Sequence, residues 1–169
     1  MSARPEGRDL TPEELEAFVR DVAARPELWQ SRVSHDPDAR VYEELLRDDH
    51  VAVWLICWMQ DHDTGFHDHD ISAGAVAVAA GAVREDRLLL GGAPASRVVE
   101  AGEALHFQPS DIHRVQHAGD EPAITIHAYS PPLWRMGAYE IGPGGELARH
   151  SVSYAEELRP LDQAAPLAA

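Results

Sequence analysis

The feature that most constrains the fold is the sequence pattern from Val51 onward, where short apolar runs alternate with turn-forming residues. Residues 51–58 are rich in β-branched and aromatic side chains, while the Gly-Gly pair at 91–92 and the Gly-Pro-Gly-Gly run at 142–145 mark turns. Short strands at regular spacing predict a mainly β protein, built as a closed sandwich or barrel. We predict strands at 51–58, 65–69, 73–80, 81–90, 96–100, 104–108, 112–118, 122–130, 138–142 and 147–151.

The residues before Val51 predict helices instead. The Thr-Pro-Glu-Glu run at 11–14 supplies an N-cap, a proline at the first helical position and a glutamate that closes a capping box. A second helix is predicted over 36–47, entered through Asp36 and Pro37. We therefore expect a single domain with a helical lead-in over 1–50, a β-barrel over 51–158 and a tail over 159–169. The first helix should bury one apolar face, formed by Leu15, Phe18, Val19 and Val22.

The charge balance narrows the class of partner. The chain has 169 residues, with 29 acidic against 14 basic side chains and a formal net charge of −15. Nucleic acids and anionic membranes require clustered lysine and arginine, so we expect neither as a partner. No run approaches the roughly 18 apolar residues of a membrane span. The lone Cys57 fits a reducing cytoplasm, and the absence of an apolar stripe leads us to expect a monomer.

Three histidines have the spacing of metal ligands. His67 and His69 lie two residues apart, which on a strand directs both imidazoles to one face. His113 follows a turn at Pro109 and could add a third nitrogen. Three neutral imidazoles bind Fe(II), Ni(II), Cu(II) or Zn(II) and leave other coordination positions open, so we predict a mononuclear metal site. A carboxylate from Asp63, Asp70 or Asp111 replacing one histidine is the alternative.

A second polar group lies near the end of the predicted barrel. Thr125, His127 and Tyr129 share one strand face by the same period of two. A hydroxyl, an imidazole and a phenol in a row can form a hydrogen-bond relay that fixes the Tyr129 hydroxyl near a metal-bound ligand. The alternative is a polar ladder facing solvent. Ile124 and Ile126 should then pack on the opposite face.

These blocks, in this order, resemble the cysteine dioxygenase family of thiol dioxygenases, within the cupins. The resemblance covers about residues 40–132 and rests on the His-Asp-His run at 67–69, the run 109–115 (Pro-Ser-Asp-Ile-His-Arg-Val) and the run 125–132 (Thr-Ile-His-Ala-Tyr-Ser-Pro-Pro). It implies a cupin-type, jelly-roll-like β-barrel with N-terminal helices. It also implies Fe(II) held by His67, His69 and His113, with Tyr129, supported by His127 and Thr125, orienting a small thiol and O2 on the way to a sulfinic acid. A non-thiol three-histidine cupin enzyme and a non-enzymatic metal- or ligand-binding cupin remain alternatives.

The resemblance also defines where this chain departs from the family. Gly74 stands where mammalian-type members carry the cysteine that crosslinks to the tyrosine, so no Cys-Tyr thioether is expected. In mammalian-type members an arginine before the first histidine motif holds the substrate carboxylate. In this chain Glu43 or Glu44 stands near that position. Arg47, before the first histidine motif, and Arg135, after the tyrosine, are the predicted substrate-binding replacements. Arg40 is also close to Glu43 in sequence, and one helical turn could bring it inward. We expect a carboxylate-bearing thiol such as cysteine or 3-mercaptopropionate, with an amine thiol or a larger thiol as alternatives.

Overall fold

The computed structural model describes residues 7–153, which form two packed antiparallel sheets and one α-helix. A five-stranded sheet has the order β1-β2-β9-β4-β7, and a six-stranded sheet has the order β11-β10-β3-β8-β5-β6. The strands are β1 Val41–Arg47, β2 Ala52–Trp58, β3 Phe66–Asp68, β4 Ala73–Ala80, β5 Ala82–Arg87, β6 Ala95–Glu100, β7 Ala104–Phe107, β8 His113–Ala118, β9 Ala123–Ser130, β10 Arg135–Ile141 and β11 Leu147–Ser153. Every strand predicted after Val51 is present, so the mainly β prediction is confirmed.

The first predicted helix is confirmed as α1, Pro12–Ala23. The Thr11 hydroxyl accepts a hydrogen bond from the Glu14 amide at 3.3 Å, and the Glu14 carboxylate accepts one from the Thr11 amide at 2.9 Å. This reciprocal cap satisfies amides that otherwise lack partners at a helix start. The apolar face of α1 covers the outer face of the five-stranded sheet, where its side chains share a core with Val53, Leu55, Cys57 and Ile126.

The second predicted helix, over 36–47, is wrong. The Asp36 carboxylate accepts a hydrogen bond from the Asp38 amide at 2.8 Å, which makes this segment a turn. Residues after the turn form strand β1, which pairs antiparallel with β2, with Tyr42 opposite Ile56. The open edge of β2 offers backbone partners to this segment, and the segment itself contains β-forming residues. The lead-in is therefore partly helical and partly a strand of the sheet, and the predicted tail lies outside the described residues.

The two faces of strand β9 explain how the fold builds a site. Ile126 packs outward under α1, whereas Thr125 and His127 point between the sheets, as the alternation predicts. The inner apolar cluster, which includes Ile56, Trp58, Val76 and Phe107, surrounds this space. Polar side chains on the inner face are thus enclosed by apolar walls, while the outer face is sealed by the helix. Within residues 7–153, no helix has both the length and the apolar character needed to cross a bilayer.

Candidate metal centre

The three predicted ligands come together between the sheets. His67 on β3 and His113 on β8 are paired neighbours across the two strands, and His69 follows β3 directly. All three are buried, and one ring nitrogen from each can be chosen so that the three lie within 4.8 Å of one another. No other cluster of three or more potential ligands occurs within residues 7–153. The six-stranded sheet therefore supplies a set of three imidazoles to the interior.

The hydrogen bonding of these imidazoles suits a metal. Both ring nitrogens of His69 and Nε2 of His113 are buried without a hydrogen-bond partner in the described part of the chain. An unpaired buried polar atom costs about 1–3 kcal/mol, which a coordinated cation would offset. Nδ1 of His67 lies 3.0 Å from the Gly65 carbonyl oxygen, which leaves its Nε2 for a metal. Burial lowers the pKa of His67 and His69 well below the ordinary value, so both are neutral, as a ligand must be.

The carboxylates considered as alternative ligands are engaged elsewhere. Asp63 accepts hydrogen bonds from Arg114, and Asp111 accepts one from Arg87 at 3.1 Å. Asp70 is exposed and lies 3.6 Å from Arg149. The three-histidine set thus fits the geometry better than a set containing a carboxylate.

Asp68, between His67 and His69 at the end of β3, faces away from the cluster and anchors the strand. Its carboxylate accepts hydrogen bonds from Arg149 at 2.7 and 2.9 Å, from the Tyr139 hydroxyl at 2.6 Å and from the Gly137 amide at 3.1 Å. Burial opposes the charged form, but these donors outweigh it and lower the pKa of Asp68 to about 2. A side chain at Gly137 would come 2.6 Å from this carboxylate. Asp68 therefore ties the ligand-bearing strand to β10 and β11.

Glu85 on β5 is a partner of the cluster that sequence reasoning missed. Its carboxylate lies 2.8 Å from Nδ1 of His113 and also accepts hydrogen bonds from Arg87 at 2.9 Å and Arg97 at 2.8 Å. Burial alone would raise the pKa of Glu85, but the bonds from His113 and Arg87 lower it to about 2. The available signal was its phase: Glu85 lies two residues after the buried Val83, on the inward face of the strand.

The predicted relay is present on the facing sheet. Thr125 Oγ1 lies 2.8 Å from Nε2 of His127, and the Tyr129 hydroxyl lies 3.4 Å from Nδ1 of His127. Burial lowers the pKa of His127 to about 3, so its imidazole is neutral. Trp58, which the sequence did not assign to the relay, donates from Nε1 to Thr125 Oγ1 at 2.8 Å. The Tyr129 ring lies 5.3 Å from the His69 ring, so the relay ends beside the histidine cluster.

One cavity joins the histidine cluster and the relay, and one arginine of the described residues lines it. Arg40 contributes to the lining, and its guanidinium carbon lies 5.5 Å from the Trp58 ring centroid. Arg47 does not line this cavity and bonds to Glu44 at 2.7 Å. Arg135 is exposed at the start of β10. The remaining walls are largely apolar and come from Trp54, Ile56, Val76, Phe107, Val115, Leu133 and Met136.

Comparisons with known proteins match this chain to one family. The family model described as cysteine dioxygenase type I matches residues 8–141. Cysteine dioxygenase type 1 from Danio rerio is 25% identical over 136 residues, which cover 73% of this chain and 67% of that protein.

Two solved structures show the same fold at low identity. A protein with a double-stranded beta-helix domain from Klebsiella pneumoniae has a TM-score of 0.53 and 15% identity, covering 71% of this chain and 91% of that chain. A cupin superfamily protein from Desulfitobacterium hafniense has a TM-score of 0.52 and 12% identity, covering 63% of this chain and 90% of that chain. The predicted cupin fold is thereby confirmed. Since the family match extends from α1 through β10, this chain belongs to the cysteine dioxygenase type I family.

Proposed function

We propose that this protein is an Fe(II)-dependent thiol dioxygenase that converts a small thiol and O2 into the corresponding sulfinic acid. The reaction balances without a further reductant, because RSH and O2 together contain the atoms of RSO2H. The observation that carries the proposal is the juxtaposition, across one cavity, of the buried imidazoles of His67, His69 and His113 with the Tyr129 hydroxyl. Membership of the family supports it.

The donor set fits iron, although three imidazoles alone do not select it over other divalent metals. His67, His69 and His113 would hold the ion. When bound, iron would supply the activation of O2 and of the thiol sulfur. The role of the chain is then to hold the imidazoles of His67 and His69 neutral, to orient the thiol and to exclude water by means of the apolar walls.

The relay holds the Tyr129 hydroxyl at the cavity. Thr125 Oγ1 accepts a hydrogen bond from Trp58 Nε1 at 2.8 Å and lies 3.4 Å from the Ile56 carbonyl oxygen, to which its hydroxyl can donate. The same oxygen lies 2.8 Å from Nε2 of His127, and Nδ1 of that ring lies 3.4 Å from the Tyr129 hydroxyl. Either tautomer of neutral His127 therefore connects Thr125 to the phenol and fixes its position beside the histidine cluster.

The charge of the cavity supports a thiol that carries a carboxylate. An arginine fork matches a carboxylate bidentately, and Arg40 is the arginine that lines the cavity among the described residues. We therefore assign the anchoring role to Arg40 in preference to Arg47 and Arg135. No acidic side chain of the described residues lines the cavity, so an amine thiol would find no carboxylate partner there. Cysteine and 3-mercaptopropionate are the substrates of choice.

The experiment is O2 consumption by protein loaded anaerobically with Fe(II), measured against cysteine, 3-mercaptopropionate, cysteamine and homocysteine. We expect rapid uptake with one of the carboxylate thiols and a sulfinate product identified by mass. His113→Ala serves as the control, because it removes one ligand of the proposed set. Absence of thiol-dependent uptake in protein with demonstrably bound iron would contradict the proposal.

A further inference from the structure

We propose that Glu85 is the positioning residue for the metal ligand His113, and that it sets the affinity of the site. The inference rests on the proposed function insofar as it assumes a metal held by the three histidines. It adds to the site a residue that lies outside the histidine motifs in sequence. It also distinguishes the three ligands by the partners that orient them.

The three imidazoles are oriented by different partners. Nδ1 of His67 faces the carbonyl oxygen of Gly65, and neither nitrogen of His69 has a partner among the described residues. His113 alone of the three faces a carboxylate, that of Glu85, at 2.8 Å. A carboxylate oxygen accepts the Nδ1 proton, which leaves Nε2 of His113 available to a metal. His113 is therefore the ligand whose orientation depends on one acidic side chain.

The surroundings of Glu85 hold its carboxylate in place. Arg97 donates to one oxygen at 2.8 Å, while Arg87 donates at 2.9 Å to the oxygen that faces His113. Arg87 also donates to Asp111 at 3.1 Å, in the turn that precedes His113. The same arginine thus holds both the carboxylate behind the imidazole and the turn that carries the ligand. Glu85 does not line the cavity, and these arginine donors compensate for the burial of its carboxylate.

The neighbouring Asp86 provides a matched control. It is also a buried carboxylate on β5, and it accepts hydrogen bonds from Ser96 at 2.6 Å and from Gln116 at 2.9 Å. It follows Glu85 directly on the strand, so its side chain points to the opposite face, and it makes no hydrogen bond to the three histidines. Replacing Asp86 with asparagine should therefore cost fold stability without altering the ligand.

The first test compares the metal affinity of Glu85→Gln, Asp86→Asn and the unaltered protein. Apo-protein would be titrated with Co(II) in competition with a chelator, which avoids oxidation and does not depend on turnover. We expect Glu85→Gln to weaken binding by roughly 10- to 100-fold, the range seen when such outer partners are removed. Asp86→Asn should bind Co(II) as the unaltered protein does. Equal affinity in Glu85→Gln, or an equal loss in Asp86→Asn, would overturn the proposal.

A second measurement uses the unaltered protein, so a folding defect in Glu85→Gln cannot affect it. Nitrogen-15 NMR of the histidine rings in unaltered apo-protein reports the tautomer of each imidazole. We expect His113 to carry a slowly exchanging proton on Nδ1, a pattern that mere burial of Glu85 would not require. A His113 ring without a proton on Nδ1 would overturn the proposal. If Co(II) binding depends on Glu85 but no thiol is oxidised, the positioning role stands while the proposed function fails.

Discussion

Gly74 and Tyr129 are directly paired on the neighbouring strands β4 and β9, and the ring of Phe107 fills the space that a side chain at position 74 would need. The phenol of Tyr129 therefore has no thiol neighbour from position 74. This arrangement is a feature of packing as well as of sequence, because Phe107 also stacks on His69 with ring centroids 4.3 Å apart. Gly74, Phe107 and His69 are thus linked by one set of contacts.

Gly74→Ala tests this packing. The added methyl group would overlap the Phe107 ring, and overpacking of this kind costs about 1–3 kcal/mol. Denaturant unfolding of the apo-protein should show a loss in this range, while Gly92→Ala, on an open turn, should show little change. Combining Gly74→Ala with Phe107→Leu should cost less than the sum of the two changes, because the smaller side chain gives room. Additive losses would contradict the proposed overlap.

Tyr129→Phe tests the relay. The variant keeps the ring and removes the hydroxyl, so we expect normal folding and Co(II) binding with kcat/KM for the thiol reduced roughly 100-fold or more. Tyr42→Phe is the control, because Tyr42 lies outside the cavity lining. Steady-state O2 uptake measures both variants. A Tyr129→Phe enzyme as active as the Tyr42→Phe enzyme would remove the phenol from the mechanism.

Arg40→Gln tests the carboxylate anchor. Loss of a charge-assisted hydrogen bond costs about 1.5–3 kcal/mol, so kcat/KM for the preferred carboxylate thiol should fall roughly 10- to 150-fold, with the larger part in KM. Thiols without a carboxylate should be affected much less. Arg47→Gln and Arg135→Gln should behave like the unaltered enzyme, since neither side chain lines the cavity. A KM defect confined to one of those two variants would return the anchoring role to that arginine.

Asp68→Asn tests the attachment of the ligand strand to β10 and β11. The amide cannot accept all the hydrogen bonds from Arg149, Tyr139 and the Gly137 amide that the carboxylate accepts. We expect a loss of about 2 kcal/mol in the free energy of unfolding. Asp70→Asn, at an exposed carboxylate 3.6 Å from Arg149, should change stability by less than about 0.5 kcal/mol. Comparable losses in the two variants would show that Asp68 has no special role.

The parts of the site that could be predicted from sequence are those fixed by local periodicity. His67 and His69, at the end of β3, are two residues apart, as are successive members of the set Thr125, His127 and Tyr129 on β9. Strand alternation predicts one face for each set. The helix predicted over 36–47 was wrong because its apolar pattern also suits a strand, and the choice depends on pairing with the edge of β2, the next strand in the chain.

The missed residues share a different cause. Glu85 reaches His113, and Trp58 reaches Thr125, only because β5 pairs with β8 and β2 pairs with β9 in particular registers. Such registers join residues far apart in sequence, so strand alternation indicates the inward face of Glu85 but not its partner His113. Arg40 was named as a candidate from the sequence, but its position in the cavity comes with strand β1, which was not predicted.

The most direct test of the thiol dioxygenase function is the isotopic composition of the product formed under 18O2. Iron-loaded protein would be supplied with its preferred carboxylate thiol, and the sulfinic acid would be analysed by mass spectrometry. Transfer of both atoms of one O2 molecule to the sulfur predicts a product carrying two 18O atoms, with no label from water. A sulfinate whose oxygen comes from water, or oxidation that stops at the disulfide with O2 reduced to peroxide, would contradict the proposed reaction.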